Sequence, residues 1–256
     1  LPLLAPMSQV AGRIAIIRGA SLLFRNRGGR GVLLGGVNGS DTGRVVVLGA
    51  GVAGRNAVKV AAAIGSSVAV VDLDEHKLQA LKQKYPGIET HISSPEIVEK
   101  LCRQADLVVG AVLLAGRRAP VVLKQSVIKQ MYPGSVIVDI SIDQGGCVEG
   151  IRATSSEQLF YMHDDVIHSA VPNMPAAVAR TASQSLSTAV LPYVLLLSGM
   201  TPEALRTGGA VNDPARGLAE SMTRAVAINQ GEVVDEVLQQ EYRSWLARLG
   251  ETDSVA

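Results

Sequence analysis

The chain is poor in aromatics, poor in cysteine and has no excess of either charge. Aromatic residues fill 3% of its 256 positions, which leaves little for the stacking platforms that single-stranded nucleic acids require. Lysine plus arginine number 24 against 23 for aspartate plus glutamate, so no global field draws it to nucleic acid or to a membrane. The two cysteines, Cys102 and Cys147, are too few for a disulfide framework and lack metal-ligand spacing. A reducing, cytoplasmic setting without a bound metal is expected from them. The longest late apolar run, Ala189 to Leu197, is too short for a bilayer and is interrupted by Pro192. No signal peptide is expected. The chain opens on Leu1-Pro-Leu-Leu-Ala-Pro6 without an initiating Met, which reads as the middle of a longer sequence.

What is present is ample core material, with 47% hydrophobic and 18% charged residues. The most informative stretch is Arg44-Val-Val-Val-Leu-Gly-Ala-Gly-Val-Ala-Gly54: a short apolar run, then Gly49-x-Gly51-x-x-Gly54, then a helical segment. A dinucleotide diphosphate needs that order: a strand, a turn open to backbone approach, then a helix N-terminus aimed at negative charge. Among 26 glycines the spacing alone is weak, so context carries the reading. Ala57, Val58, Ala61 and Ile64 fall at helical spacing, Gly65 stops the helix, and Ser67 to Asp72 reads as the next buried strand. Asp72 lies 18 residues beyond Gly54, where an acid holds the adenosine ribose hydroxyls. Leu73, Asp74 and Glu75 follow it, and that acidity favours NAD over NADP, whose 2′-phosphate needs a cation.

The rest continues the β-α-β rhythm of an α/β, Rossmann-type doubly wound parallel sheet. Ser8 to Phe24 reads as a helix with Ser8 as N-cap; Arg25 to Gly43 as a loop or hairpin whose arginines form a solvated basic face. Asp74 to Tyr85 reads as a helix, Ile88 to Ile92 as a strand, and Ser94-Pro95-Glu96 as a helix start. Leu107 to Val112 is strand four, Lys124 to Met131 a helix, Ser135 to Asp139 strand five and Val166 to Val171 a further apolar segment. Ala176 to Met200 reads as a helix with Pro192 as a kink, and Pro202 to Ala256 as one or two helices with a frayed tail. Three regions are expected: an inter-domain helix over 1–25, a dinucleotide-binding domain over 26–175 and a helical segment over 176–256.

These phrases together resemble the alanine dehydrogenase and pyridine nucleotide transhydrogenase family, and alanine dehydrogenase in particular. The resemblance rests on Leu4-Ala-Pro-Met-Ser-Gln-Val-Ala-Gly-Arg13, Gly29-Arg-Gly-Val-Leu-Leu-Gly-Gly-Val37, the glycine fingerprint and Ala105-Asp-Leu-Val-Val-Gly-Ala-Val112. It continues through Pro133-Gly-Ser-Val-Ile-Val-Asp139, Ile142-Asp-Gln-Gly-Gly-Cys147 and Asn173-Met-Pro175. It implies oxidation of L-alanine by NAD and water to pyruvate, ammonia and NADH. It also covers only the family's second portion. The earlier region, with a substrate-binding lysine and an acid/base histidine, has no counterpart here, so the chain is expected to be incomplete or one half of a split enzyme, and inactive alone. Two alternatives stay open: a non-catalytic NAD-binding module, and the NAD-binding subunit of a transhydrogenase.

Carried over by position, the resemblance implies that Ser8 touches the NAD phosphates, that Gly49, Gly51 and Gly54 form the turn, and that Val52 and Ala53 lie at the diphosphate. Asp72 matches the ribose acid, Lys77 a nearby contact, Ser93 the adenine end, and Val112 with Leu113 the border of the nicotinamide ribose. Asp143 matches the catalytic and cofactor-binding acid beside the nicotinamide, with Asn173 and Met174 as the pocket wall. Each has a plainer reading: Ser8 as a cap, Lys77 as a solvent-facing side chain, Ser93 as a helix start, Asp143 as a turn acid. His163 and His168, beside an apolar strand, read as structural. Cys147 reads as an inert packed thiol. In the family the C-terminal helices pack on the N-terminal region, so the first helix and residues from Ala176 onward are expected to expose apolar surface. That implies a homo-oligomer, a hexamer in the family, or a partner carrying the N-terminal half.

Overall fold

The computed structural model describes residues 2–199, 227–229, 232–240 and 242–243. Contacts divide the chain into two units, one of residues 1–114 with 118–183 and the other of 115–117 with 184–256. The first holds a seven-stranded sheet built from β1 (Arg44–Leu48), β2 (Ser67–Asp72), β3 (Glu89–Ile92), β4 (Leu107–Gly110), β5 (Val136–Asp139), β6 (Tyr161–His163) and β7 (Val166–Ser169). Their order is β3-β2-β1-β4-β5-β7-β6, parallel throughout except for the antiparallel β6–β7 pair.

Strand periodicity sorts the apolar residues into two layers. Val45, Val47, Val70 and Val109 face one side, where α1 (Ala5–Leu22), α2 (Val52–Ala63) and α3 (Glu75–Lys84) supply Ile16, Ala57, Val58, Leu78 and Leu81. Val46, Leu48, Val71 and Val108 face the other, against Val98 and Leu101 of α4 (Pro95–Cys102) and Ile128 of α5 (Gln125–Ile128). Burial on both faces is why these strands read as continuous branched runs. Asp74 caps α3 by accepting from the Lys77 amide at 3.3 Å, and Ser94 caps α4 by accepting from the Ile97 amide at 3.3 Å.

Several expected boundaries move. The first helix begins at Ala5, not Ser8: Leu4 is its N-cap, Pro6 sits in its first turn, and the Ser8 amide already donates to the Leu4 carbonyl at 3.0 Å. Proline suits that turn because its fixed φ and missing N–H cost nothing there. This helix buries Val10, Ala15, Ile16 and Leu22, and it exposes Ile17 together with Leu4 before its start and Phe24 after its end. Residues 28–43 form a loop with no hairpin, and its Arg30 is not simply solvated: it pairs with Asp106 at 2.8 Å and lies over the Tyr132 ring. The helix over 124–131 shortens to α5, and β6 is a strand the sequence did not announce.

A short 3-10 turn over Met174–Val178 precedes α6 (Ala179–Ser198), which contains Pro192 and exposes Leu191, Val194 and Leu195. Most of the stretch expected to be helical from Pro202 onward lies outside the described residues. Its described part includes a two-stranded antiparallel pair, β8 (Ile228–Asn229) and β9 (Glu232–Val233), and a helical stretch at 236–240.

Candidate functional site

The strand order reverses at β1, which lies between β2 and β4. Open α/β sheets place ligands at that switch point, beyond the carboxyl ends of the strands. A cleft of about 900 Å³ opens there. Its floor is the turn after β1. Gly49 adopts φ +105°, and a Cβ on it would lie 2.5 Å from the Ala111 carbonyl oxygen, so only glycine closes this turn. Gly54 meets the Gly49 carbonyl oxygen so closely that a Cβ would stand 1.8 Å from it. Gly51, the N-cap of α2, faces open space, with nothing within 4 Å of a Cβ placed there. No side chain caps α2 and no acid lies in its first turn, so its leading amides are donors in need of an acceptor. An open cradle floored by such amides fits a diphosphate.

On the β2 side of this cradle, Asp72 accepts from the Ala50 amide at 2.6 Å through Oδ2 and from the Asp74 amide at 2.9 Å through Oδ1. The acid thus ties the end of β2 to the glycine turn, and an ionised carboxylate retains lone pairs for further donors. Lys77 Nζ stands 3.2 Å from Asp74 Oδ2 and 3.9 Å from Asp72 Oδ1. Hydrogen bonds from the Lys77 backbone and side chain hold the Asp74 carboxyl below its ordinary pKa, so this rim stays anionic. Ser93 lines the same end, its amide donating to the Asp72 carbonyl at 2.9 Å.

On the other side, β4 and β5 deliver Val112, Leu113 and a 3-10 turn over Ile140–Gln144. The Ser141 hydroxyl donates to the Val112 carbonyl at 2.8 Å, which ties this turn to the end of β4. Asp143 lines the cleft and accepts from the Asn173 amide at 3.2 and 3.3 Å through its two oxygens. Asn173 itself adopts a left-handed conformation, φ 47° and ψ 47°. From α1, Ser8 lines the cleft together with Met7 and Ala11.

The structure therefore brings Ser8, Gly49, Gly51, Val52, Ala53, Asp72, Lys77, Ser93, Val112, Leu113, Asp143 and Asn173 to one cleft. Gly54 stands behind the turn, and Met174 does not form a wall. The left-handed Asn173 sends Met174 into the core, where it is 2% exposed, and Pro175 lines the cleft in its place. Ser141 and Gln144 also line the cleft, two residues before and one after Asp143, and that nearness in the sequence is the signal that points to them. His168 lies away from the cleft, buried and stacked on Tyr161 at 5.1 Å, and burial lowers its pKa to about 4. Burial also raises the thiol pKa values of Cys147 and Cys102, the latter to about 12.

The family described as Alanine dehydrogenase/PNT, C-terminal domain, matches residues 15–236. The chain belongs to that family. It is 48% identical over 199 residues to the alanine dehydrogenase of Mycobacterium tuberculosis, covering 77% of this chain and 54% of that protein. A solved L-alanine dehydrogenase superposes with a TM-score of 0.83 at 40% identity, covering 95% of this chain and 64% of the other. The transhydrogenase of Sinorhizobium meliloti superposes with a TM-score of 0.63 at 26% identity, covering 83% and 61%. The chain thus spans between half and two thirds of the length of these relatives. The family's dinucleotide is NAD, and its chemistry is oxidoreduction.

Proposed function

We propose that this chain is the NAD-binding portion of an L-alanine dehydrogenase, which converts L-alanine, NAD and water to pyruvate, ammonia and NADH. The observation that carries the reading is the uncapped start of α2 opening on one cleft, with Asp72 on one side and the Asp143–Asn173 pair on the other. The amides of Gly51, Val52 and Ala53 receive the diphosphate, with the Ser8 hydroxyl beside them. Asp72 accepts from the adenosine ribose, near Lys77 and Ser93, and its acidic surroundings disfavour a 2′-phosphate. Val112 and Leu113 border the second ribose. NAD, when bound, supplies the hydride acceptor.

Asp143 is the proposed catalytic contribution of this chain. Fixed by the Asn173 amide, it orients and polarises an acid/base partner at the open end of the cleft. A positioned proton-transfer group contributes about 10²–10⁴-fold to such reactions. Among the described residues lining the cleft, Lys77 is the one cationic side chain, and it faces Asp72 and Asp74. The cation for the alanine carboxylate and the acid/base group are therefore proposed to come from a polypeptide segment outside this chain, the family's N-terminal region.

The test pairs two assays on the full chain. NADH fluorescence should saturate on titration and the response should be lost in Asp72→Ala; absence of binding by the unaltered chain would overturn the reading. NADH oxidation driven by pyruvate and ammonia should appear when a family N-terminal region is supplied. Turnover by the chain alone would refute the placement of the cation outside it. Exchange between two nicotinamide nucleotides without alanine turnover would favour the transhydrogenase reading, to which the Sinorhizobium meliloti superposition points.

A further inference from the structure

The loop that carries Asp143 is closed by a carboxylate the cleft never touches. Asp139 ends β5 with no exposed surface. Its Oδ1 accepts from the Ser141 amide at 2.8 Å and from the Cys147 thiol at 3.5 Å, and its Oδ2 accepts from the Cys147 amide at 2.8 Å. One side chain thus holds both legs of the loop and closes residues 140–147 into a ring. The packing leaves no room for a neighbour: a Cβ on Gly110 would stand 2.6 Å from the Cys147 sulfur and 2.8 Å from Asp139 Oδ1. A Cβ on Gly146 would stand 2.9 Å from Asp139 Oδ2.

Burying a carboxylate is costly unless its oxygens are well matched to donors, and here two backbone amides and a thiol converge on it. An asparagine of the same shape would turn one acceptor into a donor facing an amide or a thiol. The loop so fixed presents Ser141, Asp143 and Gln144 to the cleft and hooks onto the Val112 carbonyl through Ser141. It lies on the β4–β5 side, opposite Asp72 at the end of β2. A dinucleotide with its ribose at Asp72 and its diphosphate on α2 lays its other half against this loop.

We propose that Asp139 is a positioning residue for the nicotinamide side of the cleft, acting through the turn that carries Asp143. The proposal rests on the NAD reading, and the test separates the two. Asp139→Asn and the unaltered chain are titrated calorimetrically with NADH and with ADP-ribose, which lacks the nicotinamide, after circular dichroism has verified the fold. NADH affinity should fall about tenfold in the variant, the loss of one well-placed contact, with ADP-ribose affinity held within about twofold. Equal weakening of both ligands, or of neither, overturns the proposal. Failure of the unaltered chain to bind either ligand overturns the NAD reading beneath it. Should Asp139→Asn not fold, Ser141→Ala gives the same comparison. It unhooks the turn from Val112 and leaves the buried acid in place, so the same split is expected and its absence overturns the proposal.

Discussion

His168 makes the stability of the sheet edge sensitive to acid, and the size of that sensitivity follows from its burial. The imidazole is 2% exposed, and neither ring nitrogen has a hydrogen-bond partner of good geometry, the His163 backbone offering only a weak contact. Tyr161 stacks on it; the His163 ring, at 6.0 Å, and Arg152 oppose its protonation, while the His163 backbone and Asp164 favour it. Desolvation dominates and lowers the folded pKa from 6.5 to about 4. The unfolded chain therefore binds more protons than the folded one between those values, so stability is full above pH 6.5 and falls as pH drops toward 4. At about 1.4 kcal/mol per unit the group costs about 2 kcal/mol at pH 5 and about 3 kcal/mol below pH 4. Replacing it with phenylalanine keeps a ring against Tyr161 and removes two poorly partnered nitrogens, so His168→Phe should be near neutral at pH 7.5. Urea unfolding followed by far-ultraviolet circular dichroism should then show the variant more stable than the unaltered chain by about 2 kcal/mol at pH 5. In the unaltered chain the ring proton resonance of His168 should titrate near 4. A midpoint near 6.5, or parallel acid losses in the two proteins, would refute this account of the buried ring.

Other expectations concern the cleft and its surroundings. Asp72→Ala removes the acceptor for the Ala50 and Asp74 amides as well as for the ribose, so NADH binding should weaken by at least about tenfold, with about 1–3 kcal/mol lost in unfolding titrations. Gly54→Val forces side-chain atoms into the Gly49 carbonyl and should destabilise the chain by about 3 kcal/mol or more, abolishing NADH binding; a thermal melt and a fluorescence titration check both. Cys102 and Cys147 are buried with raised thiol pKa values, so a thiol-specific chromogenic reagent should label neither in the native chain at pH 8 and both in denaturant. Rapid native labelling of either would contradict their packing.

The strands that build the centre of the sheet were legible because burial on both faces leaves unbroken branched runs such as Val45 to Leu48, bounded by glycine or polar residues. The glycine turn was legible for a related reason, since a positive φ and a backbone contact each restrict the residue type. What is not legible depends on local backbone turns that no residue type announces. Strand β6 is three residues long and partly exposed, and its turn runs through Asp164 and Asp165, both left-handed without any glycine to mark it. Asp139 looked like one more strand residue, because its ring of donors is visible only when Ser141 and Cys147 fold back on it. Met174 sits beside a lining residue yet points away, a consequence of one left-handed backbone at Asn173 that adjacency does not reveal. Ser8 lies in the cleft although α1 starts three residues earlier than its spacing suggests, because that shift still leaves it in the first turns of the helix.

The lining of the cleft runs from Leu4 on α1 to Pro175 beyond β7, almost the whole length of the sheet-bearing unit. No early segment of the chain carries the whole lining, so the complete pocket exists only once the last parallel strand is in register. Occupancy then acts as a clasp on the entire unit: ligand at one hundred times its dissociation constant adds about 2.7 kcal/mol against opening anywhere that dismantles the pocket. Fraying of the first helix, which in an empty protein is a local event, becomes in the loaded one an event that must first expel the ligand.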